Sequence, residues 1–422
     1  MGGKAALILV AGFAIILMRI AYNMNNLETS AVENVSMYLE NTVSHNLALA
    51  GANVALSMIY TNPNLRGVVT DPTTFTSGPF VGGKYTARMD SVDPSRLLLR
   101  TVSTYEGLHD TVDVSFKTRL SQSFSMFAWM TNFEGNVFWI TGDTVWGRIH
   151  SNGMIHVDGS PVFWEKVTTA KRFDPRPGVG TNRAIFKNGY ETGIAEIPFP
   201  NDLSELVGAS SYGGKRYTSE IWLTLSPGSG ENNDGKVYVR NSSSGPIIDS
   251  VTLADPSFNG VIVGNQRVHV KGTLDGKLTI ASIQDVYIED NVFYERNPMT
   301  GYSDDLLGLV AENNVVVADN AANNDNCEIH AAIFSRSSKF TAENYNTRPV
   351  SGALRLLGSI VQDERGEVGT FSGSKIKSGF SKRYRYDNRL LDPTVRPPYF
   401  PGFYTQTLQI SGWWESFRLP KF

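Results

Sequence analysis

His150 and His156 stand six residues apart in the run GRIHSNGMIHV, and on adjacent strands their imidazoles could act as two ligands of one metal. The remaining histidines, His45, His109, His269 and His330, are widely dispersed, and half-buried strand residues with hydrogen-bonded rings are the plainer account of all six. A second set of reactive groups is the acids Asp285, Asp290, Asp304, Asp305 and Asp319. Polysaccharide lyases and hydrolases need clustered carboxylates, or a carboxylate beside Arg or Lys. Here the acids sit next to Asn and Gly at expected corners, where an Asp side chain stabilises a turn by bonding its own backbone. Asn323, Asn324, Asp325 and Asn326 offer oxygens of the kind calcium takes, without the spaced carboxylates of a dedicated loop. Cys327 is the only cysteine, which excludes an intrachain disulfide and a thiolate metal cluster. Nucleophile elbows, HExxH, a phosphate-binding GKS loop and GxGxxG after a strand are all missing from the sequence. The expectation is a non-catalytic protein with no cofactor and no resident metal.

The elements that would have to position any such site begin with an unusual N-terminus. Residues 5–18, AALILVAGFAIILM, carry no charge and lie between Lys4 and Arg19. That run is short for a spanning helix, which needs roughly 20 apolar residues. A signal peptide would be followed by a small-residue cleavage site and a change of character, and neither follows. Helix-compatible sequence continues instead through Ile20, Met24, Leu27, Val32, Val35, Leu39, Val43, Leu47, Ala50, Val54 and Met58, mostly at three- and four-residue steps, until Asn62-Pro63. A single helix over residues 5–60 would be about 84 Å long, too long to be the core of its own domain. Its first half is apolar nearly all round and demands burial by lipid or by other helices. Its second half, with Glu28, Glu33, Glu40 and His45 set against the apolar positions, suits a helix lying on a globular domain. Arg19 fits assembly better than solitary burial in lipid, since a guanidinium is tolerated near a polar boundary or a neighbour's carboxylate.

This segment resembles the N-terminal helix of type IV pilins and pseudopilins, above all the minor-pilin-like opening of small and aliphatic residues, here Gly2, Gly3, Ala5, Ala6, Leu7, Ile8, Leu9 and Val10, with a later Leu49-Ala50-Gly51-Ala52. The resemblance implies a precursor whose helix sits in the inner membrane and later packs against its copies in a filament core. It places the assembly interface at Ala5, Leu7, Leu9, Val10, Phe13, Ile16, Leu17, Ile20 and Met24. Ala5 stands where type IV pilins usually carry glutamate. A leader of that family's kind would end before Met1 if Met1 is the mature first residue, or at Gly3 if Met1 is the initiator. The blocks GDTVWGRIHSNG (residues 142–153) and GSPVF (159–163), with the YDxRL and PPxFP pieces near the C-terminus, resemble a poorly characterised pilin-like bacterial surface family that has no assigned chemistry.

Beyond Pro63 the texture is that of β-structure, with Gly, Pro, Thr and Asp punctuating short alternating runs at residues 112–116, 136–140 and 154–157. From Gly260 onward the pattern is more regular. Tripeptide strands are expected at Val261, Val268, Leu278 and Val286, each closed by Gly, Asn or Asp, at intervals near the roughly 20 residues of a stacked coil. Further strands are expected at 307–310, 315–317, 329–334, 339–342 and 354–357. Successive strands without intervening helices favour a parallel β-helix over a doubly wound sheet, and a β-sandwich is the competing architecture. Parallel neighbours would favour the first, hairpins the second. Residues 384–401 (YRYDNRLLDPTVRPPYFP), with four prolines and followed by Gly412-Trp413-Trp414, read as an extended tail laid over a surface.

A chain of 422 residues exceeds what one core usually supports. The expected layout is an assembly helix at 1–62, a β-rich region at 63–200, a β-solenoid at 201–375 and an extended Pro/aromatic tail at 376–422. The fold class is α+β, a long pilin-like helix with a β-rich outer region containing a parallel β-helix. With a net charge of -3 and scattered Lys and Arg, no field concentrates phosphate, so nucleic acid is not expected as a partner. The expected partners are copies of the chain itself, the inner membrane before assembly, and surface glycans. The functional expectation is an extracellular filament subunit, with a minor or tip pilin and a membrane-anchored glycan-active β-helix enzyme as alternatives.

Overall fold

The computed structural model describes residues 2–61, 73–80, 82–93, 96–228, 234–372 and 375–416. One long N-terminal helix and a large β-rich region make up the chain, which divides into two compact units, residues 1–120 with 404–422, and residues 121–403. The expected stop at Asn62-Pro63, and with it the 62/63 boundary, lies outside the described residues.

In the first unit the helix Gly2–Thr61 runs for 60 residues, about 90 Å at 1.5 Å per residue. Its last five turns pack on an antiparallel sheet of Thr73–Phe80, Gly83–Asp93, Arg96–Tyr105, Leu108–Ser123 and Gly402–Glu415, in that order across the sheet. One face of the sheet, including Ala87, Met89, Leu97, Leu99, Val112 and Phe116, meets Ala48, Ala52, Ala55 and Ile59 of the helix. The alternation of buried and exposed residues along Arg96–Tyr105 is that of a sheet covered on one side.

The apolar stripe read along the helix needs correction in this half. Leu47 is buried as expected, but Val54 and Met58 are 42% and 38% exposed. The packed face is formed instead by Ser44, Leu47, Ala48, Gly51, Ala52, Ala55 and Ile59. Close approach is the reason. A Cβ on Gly51 would come within 2.6 Å of Tyr85 Cδ2 and 2.8 Å of Thr101 Cγ2, and one on Gly83 within 2.4 Å of Leu47 Cδ1. Helix and sheet approach most closely at Gly51 and Gly83, and Val54 and Met58 are turned out.

In the second unit most strand neighbours are parallel. One ladder runs Lys215–Tyr217, Val261–Gly264, Lys277–Ser282, Leu306–Ala311, Cys327–Ser335 and Val350–Glu364. It then continues with strands from earlier in the chain, Trp129–Phe133, Ile149–Ser151, Val167–Thr169 and Tyr190–Thr192. A second ladder stacks Ile221–Ser226, Val268–Leu274, Val286–Tyr294, Val315–Val317 and Phe340–Ala342, also parallel, with Val268 opposite Val286 and Val286 opposite Val315. Antiparallel pairs join Lys236–Arg240 to its neighbours Ile221–Ser226 and Ile247–Thr252, and join Gly369–Ser372 to Lys375–Tyr386.

Strands such as Leu306–Ala311 are buried at every position, as expected of a parallel sheet covered on both faces. Ile280, Leu309 and Ile333 fill one apolar cluster, and their neighbours Ala281, Val310 and Phe334 belong to another that includes the short helix Ser204–Ser211. The C-terminal region contains the strand Lys375–Tyr386, a 3-10 turn at Asn388–Leu391 and the strand Gly402–Glu415 that takes its place in the antiparallel sheet.

Candidate functional site

The first half of the helix presents a continuous run of exposed apolar residues. Leu7, Leu9, Val10, Phe13, Ile16, Leu17, Ile20 and Met24 are all exposed, Leu7 at 72% and Phe13 at 61%, and Ala5 is exposed with them. Ile8, Ile15, Met18 and Leu27 are equally open, so the apolar surface covers every side of the rod. Among the described residues this is one helix long and apolar enough to cross a membrane. At about 1.5–3 kcal/mol for each large apolar side chain, burying residues 7–24 is worth on the order of 20 kcal/mol, more than the whole stability of a typical domain. Water cannot be the resting environment of this surface.

Polar groups fix where the packed half begins. His45 Nδ1 lies 2.9 Å from Asp110 Oδ2, and Nε2 lies 3.2 Å from Glu415 Oε2, so one imidazole ties the helix to two strands of the sheet. Ser103 Oγ donates to the Ser44 carbonyl at 2.7 Å. Asp110 also accepts from the Thr111 amide at 2.6 Å and from Ser416 Oγ at 3.0 Å.

The groups with candidate chemistry are dispersed. His150 is buried, its ring bonded to Thr168 Oγ1 at 2.9 Å and Asn152 Oδ1 at 2.8 Å, and burial holds its pKa below the ordinary histidine value against the raising effect of Asn152. His156 lies 3.6 Å from Asp174, with its ring 5.5 Å from that of Phe138 and tilted to it by 54°. Among the described residues no three His, Cys, Asp or Glu side chains form a metal-ligating group.

The acids cap corners. Asp285 accepts from the amide and side chain of Asn314 at 2.9 and 3.0 Å, and Asp290 from the Asn291 amide at 2.7 Å. Asp305 accepts from Gly276 at 2.8 Å and Arg296 at 3.1 Å, and Asp319 from Asn324 at 3.0 Å and Asn344 at 3.1 Å. Asn326 has a positive φ of 66°, the conformation Asn tolerates in turns. Cys327 is buried, and burial, with Asp290 nearby, pushes its thiol up to about 12, so it is not an available nucleophile near neutral pH.

Two polar constellations escape a motif reading. His269 stacks on Trp222 at 4.2 Å and Tyr287 at 5.2 Å, because the three occupy one register position on three parallel strands. Its ring bridges Glu220 at 2.9 Å and Glu289 at 2.5 Å. Burial lowers its pKa, but the hydrogen bonds to Glu289 and Glu220 outweigh burial and leave it raised. Arg365 and Glu134, both about 1% exposed, form a buried ion pair at 2.9 Å between segments 231 residues apart. A strand pattern spaced by twos signals neither, since both depend on register between distant strands.

No protein-family model and no curated protein matches the sequence. Among solved structures, the chain is similar to the competence-associated pilin ComZ from Thermus thermophilus, with 12% identity, 89% of this chain and 98% of that chain covered, and a TM-score of 0.40.

Proposed function

We propose that the chain is a structural, non-catalytic subunit of a pilus-like filament, polymerising through residues 5–27 of its N-terminal helix. One observation carries the reading: a single continuous helix changes from a packed face at residues 44–59 to an apolar surface exposed on all sides at residues 5–27. A solitary membrane anchor would need only about 20 apolar residues, whereas this helix continues rigidly into a folded unit and so fixes the direction of that unit relative to the rod. In the assembled form the apolar halves bundle together, with Arg19 at their polar margin. The membrane holds the precursor until assembly, and the assembled filament lies outside the cell.

The same reading takes the parallel ladders of residues 121–403 as coils of a β-solenoid, each covering the apolar edge of the next. In this scheme the solenoid is the outer coat and residues 1–62 the assembly element. Deleting residues 5–18 tests it by size-exclusion chromatography with light scattering. The truncated chain should remain monomeric and free of membranes, and filaments formed without those residues would rule the scheme out.

A further inference from the structure

A cleft of about 400 Å³ opens in the second unit where the strand arrangement changes. The first part of Val350–Glu364 pairs with Lys375–Tyr386, setting Leu354 opposite Lys382 and Leu356 opposite Tyr384. Its later part pairs instead with Trp129–Phe133, from the other end of the unit. Thr144–Val145, beyond Lys375–Tyr386, is the edge of a separate three-stranded sheet. The cleft occupies this interruption, with Trp129, Trp139, Trp146, Tyr384 and Lys382 in its wall.

The unsatisfied polar atoms of this wall are donors. Trp129 and Trp139 are 4% and 5% exposed, and their indole N–H groups have no hydrogen-bond partner. The Lys382 ammonium makes no hydrogen bond or ion pair among the described residues. The two carboxylates of the lining bond elsewhere, Glu367 with Lys339 at 3.3 Å and Asp143 with the Ile140 amide at 3.0 Å, and act on Lys382 through their charge without a hydrogen bond to it. The two indole N–H groups are closed off from solvent, so the donor this wall offers a ligand is the Lys382 ammonium, which favours one that brings oxygens and negative charge. Trp146 is 43% exposed and carries Arg385 at 5.9 Å from its ring, a flat aromatic face next to a second cation. Such a face attracts the weakly positive C–H surface of a sugar ring through its quadrupole. The volume suits one or two sugar rings.

We propose that this cleft binds an acidic saccharide, with the ring of a uronic acid on Trp146 and its carboxylate on Lys382. This gives a place and a chemistry to a glycan partner, and it stands whether or not the chain polymerises. Burial, followed by the nearby Arg365, lowers the Lys382 pKa to about 8 against the raising effect of the Asp143, Glu134 and Glu367 carboxylates, so carboxylate binding should weaken as pH rises through that value.

The test uses the full chain in zwitterionic detergent, titrated with a glucuronic-acid disaccharide and with the matching disaccharide that has glucose in its place. Calorimetry and tryptophan fluorescence read the binding. The uronate should bind saturably with Kd below about 1 mM and at least about tenfold more tightly than the neutral sugar, a preference that disappears above about pH 9. Lys382→Met should erase the preference, and Trp146→Ala should weaken both sugars roughly tenfold. If a variant fails to fold, the wild-type comparison and its pH dependence decide. The proposal is overturned by no saturable binding of the uronate up to about 10 mM, by equal binding of the two sugars, or by benzoate binding as tightly as the uronate.

Discussion

Replacing Arg365 by Met removes one half of the buried pair with Glu134 and strands the other. Arg365 is 1% exposed, its Nη1 lies 2.9 Å from Glu134 Oε2 and 3.3 Å from the Val137 carbonyl, and its guanidinium sits 4.1 Å from the centre of the Trp139 ring and 5.3 Å from that of Trp129. In the variant, Glu134 keeps Thr131 Oγ1 as a donor but loses its counter-charge in a place water does not reach. Breaking such a pair typically costs about 3–5 kcal/mol, whereas replacing both partners is often close to neutral. Arg365→Met alone should therefore lower the melting midpoint by on the order of 5–10 °C. Adding Glu134→Gln should recover more than half of the loss, a coupling between contacting residues that independent sites do not show. Trp129 and Trp139 report the transition by fluorescence, since both rings touch the guanidinium. A single variant that melts within about 1 °C of wild type, or a double variant less stable than Arg365→Met alone, would refute this account of the pair.

Other outcomes follow from the same geometry. Gly51→Leu should destabilise the first unit by about 1–3 kcal/mol, because its Cβ alone meets Tyr85 and Thr101 below contact distance, and thermal melting of the variant checks it. His269, with its pKa raised between Glu220 and Glu289, contributes stability that is fully present below the unfolded value near 6.5 and is lost as pH rises through the folded pKa. The melting gap between wild type and His269→Gln should accordingly be wide at pH 5.5 and narrow at alkaline pH. Truncation after Pro401 removes the strand beside Leu108–Ser123, the partly buried Trp413 and the Glu415 contact to His45. Faster amide exchange along Leu108–Ser123 is expected in the truncated chain, and unchanged exchange would show that the last strand is dispensable there.

Much of the architecture could be read from residue type. Residues 5–18 lack any charge, and no fold buries such a run on a single surface. Val268 and Val286 were legible as equivalent positions because both open a short β-branched run at a similar interval, and they are directly paired. Residues 315–317 coincide with Val315–Val317, and residues 329–334 fall inside Cys327–Ser335. The antiparallel sheet under the helix was less visible. Its last strand comes from residues 402–415, and nothing local to Gly412-Trp413-Trp414 specifies Leu108–Ser123 as its neighbour. The packed helix face departs from the apolar stripe because large apolar side chains are the usual core signal, whereas Ala48, Gly51, Ala52 and Ala55 pack here by being small. Their three- and four-residue spacing was the available clue. The His269 stack and the cleft at Lys382 depend on which strands become neighbours, so neither leaves a mark on the sequence.

The reading as a filament subunit rests on the exposed helix surface being covered by copies of itself. Negative-stain electron microscopy of material sheared from cells, wild type beside Phe13→Asp, examines that directly. Phe13 is 61% exposed on the isolated chain, so the substitution leaves the folded units intact while placing an unpaired carboxylate in any helical bundle, at a cost of several kcal/mol per subunit. Filaments from the wild type and none from the variant are expected. Wild-type material consisting only of single particles, or filaments that persist with Asp at position 13, would contradict the account.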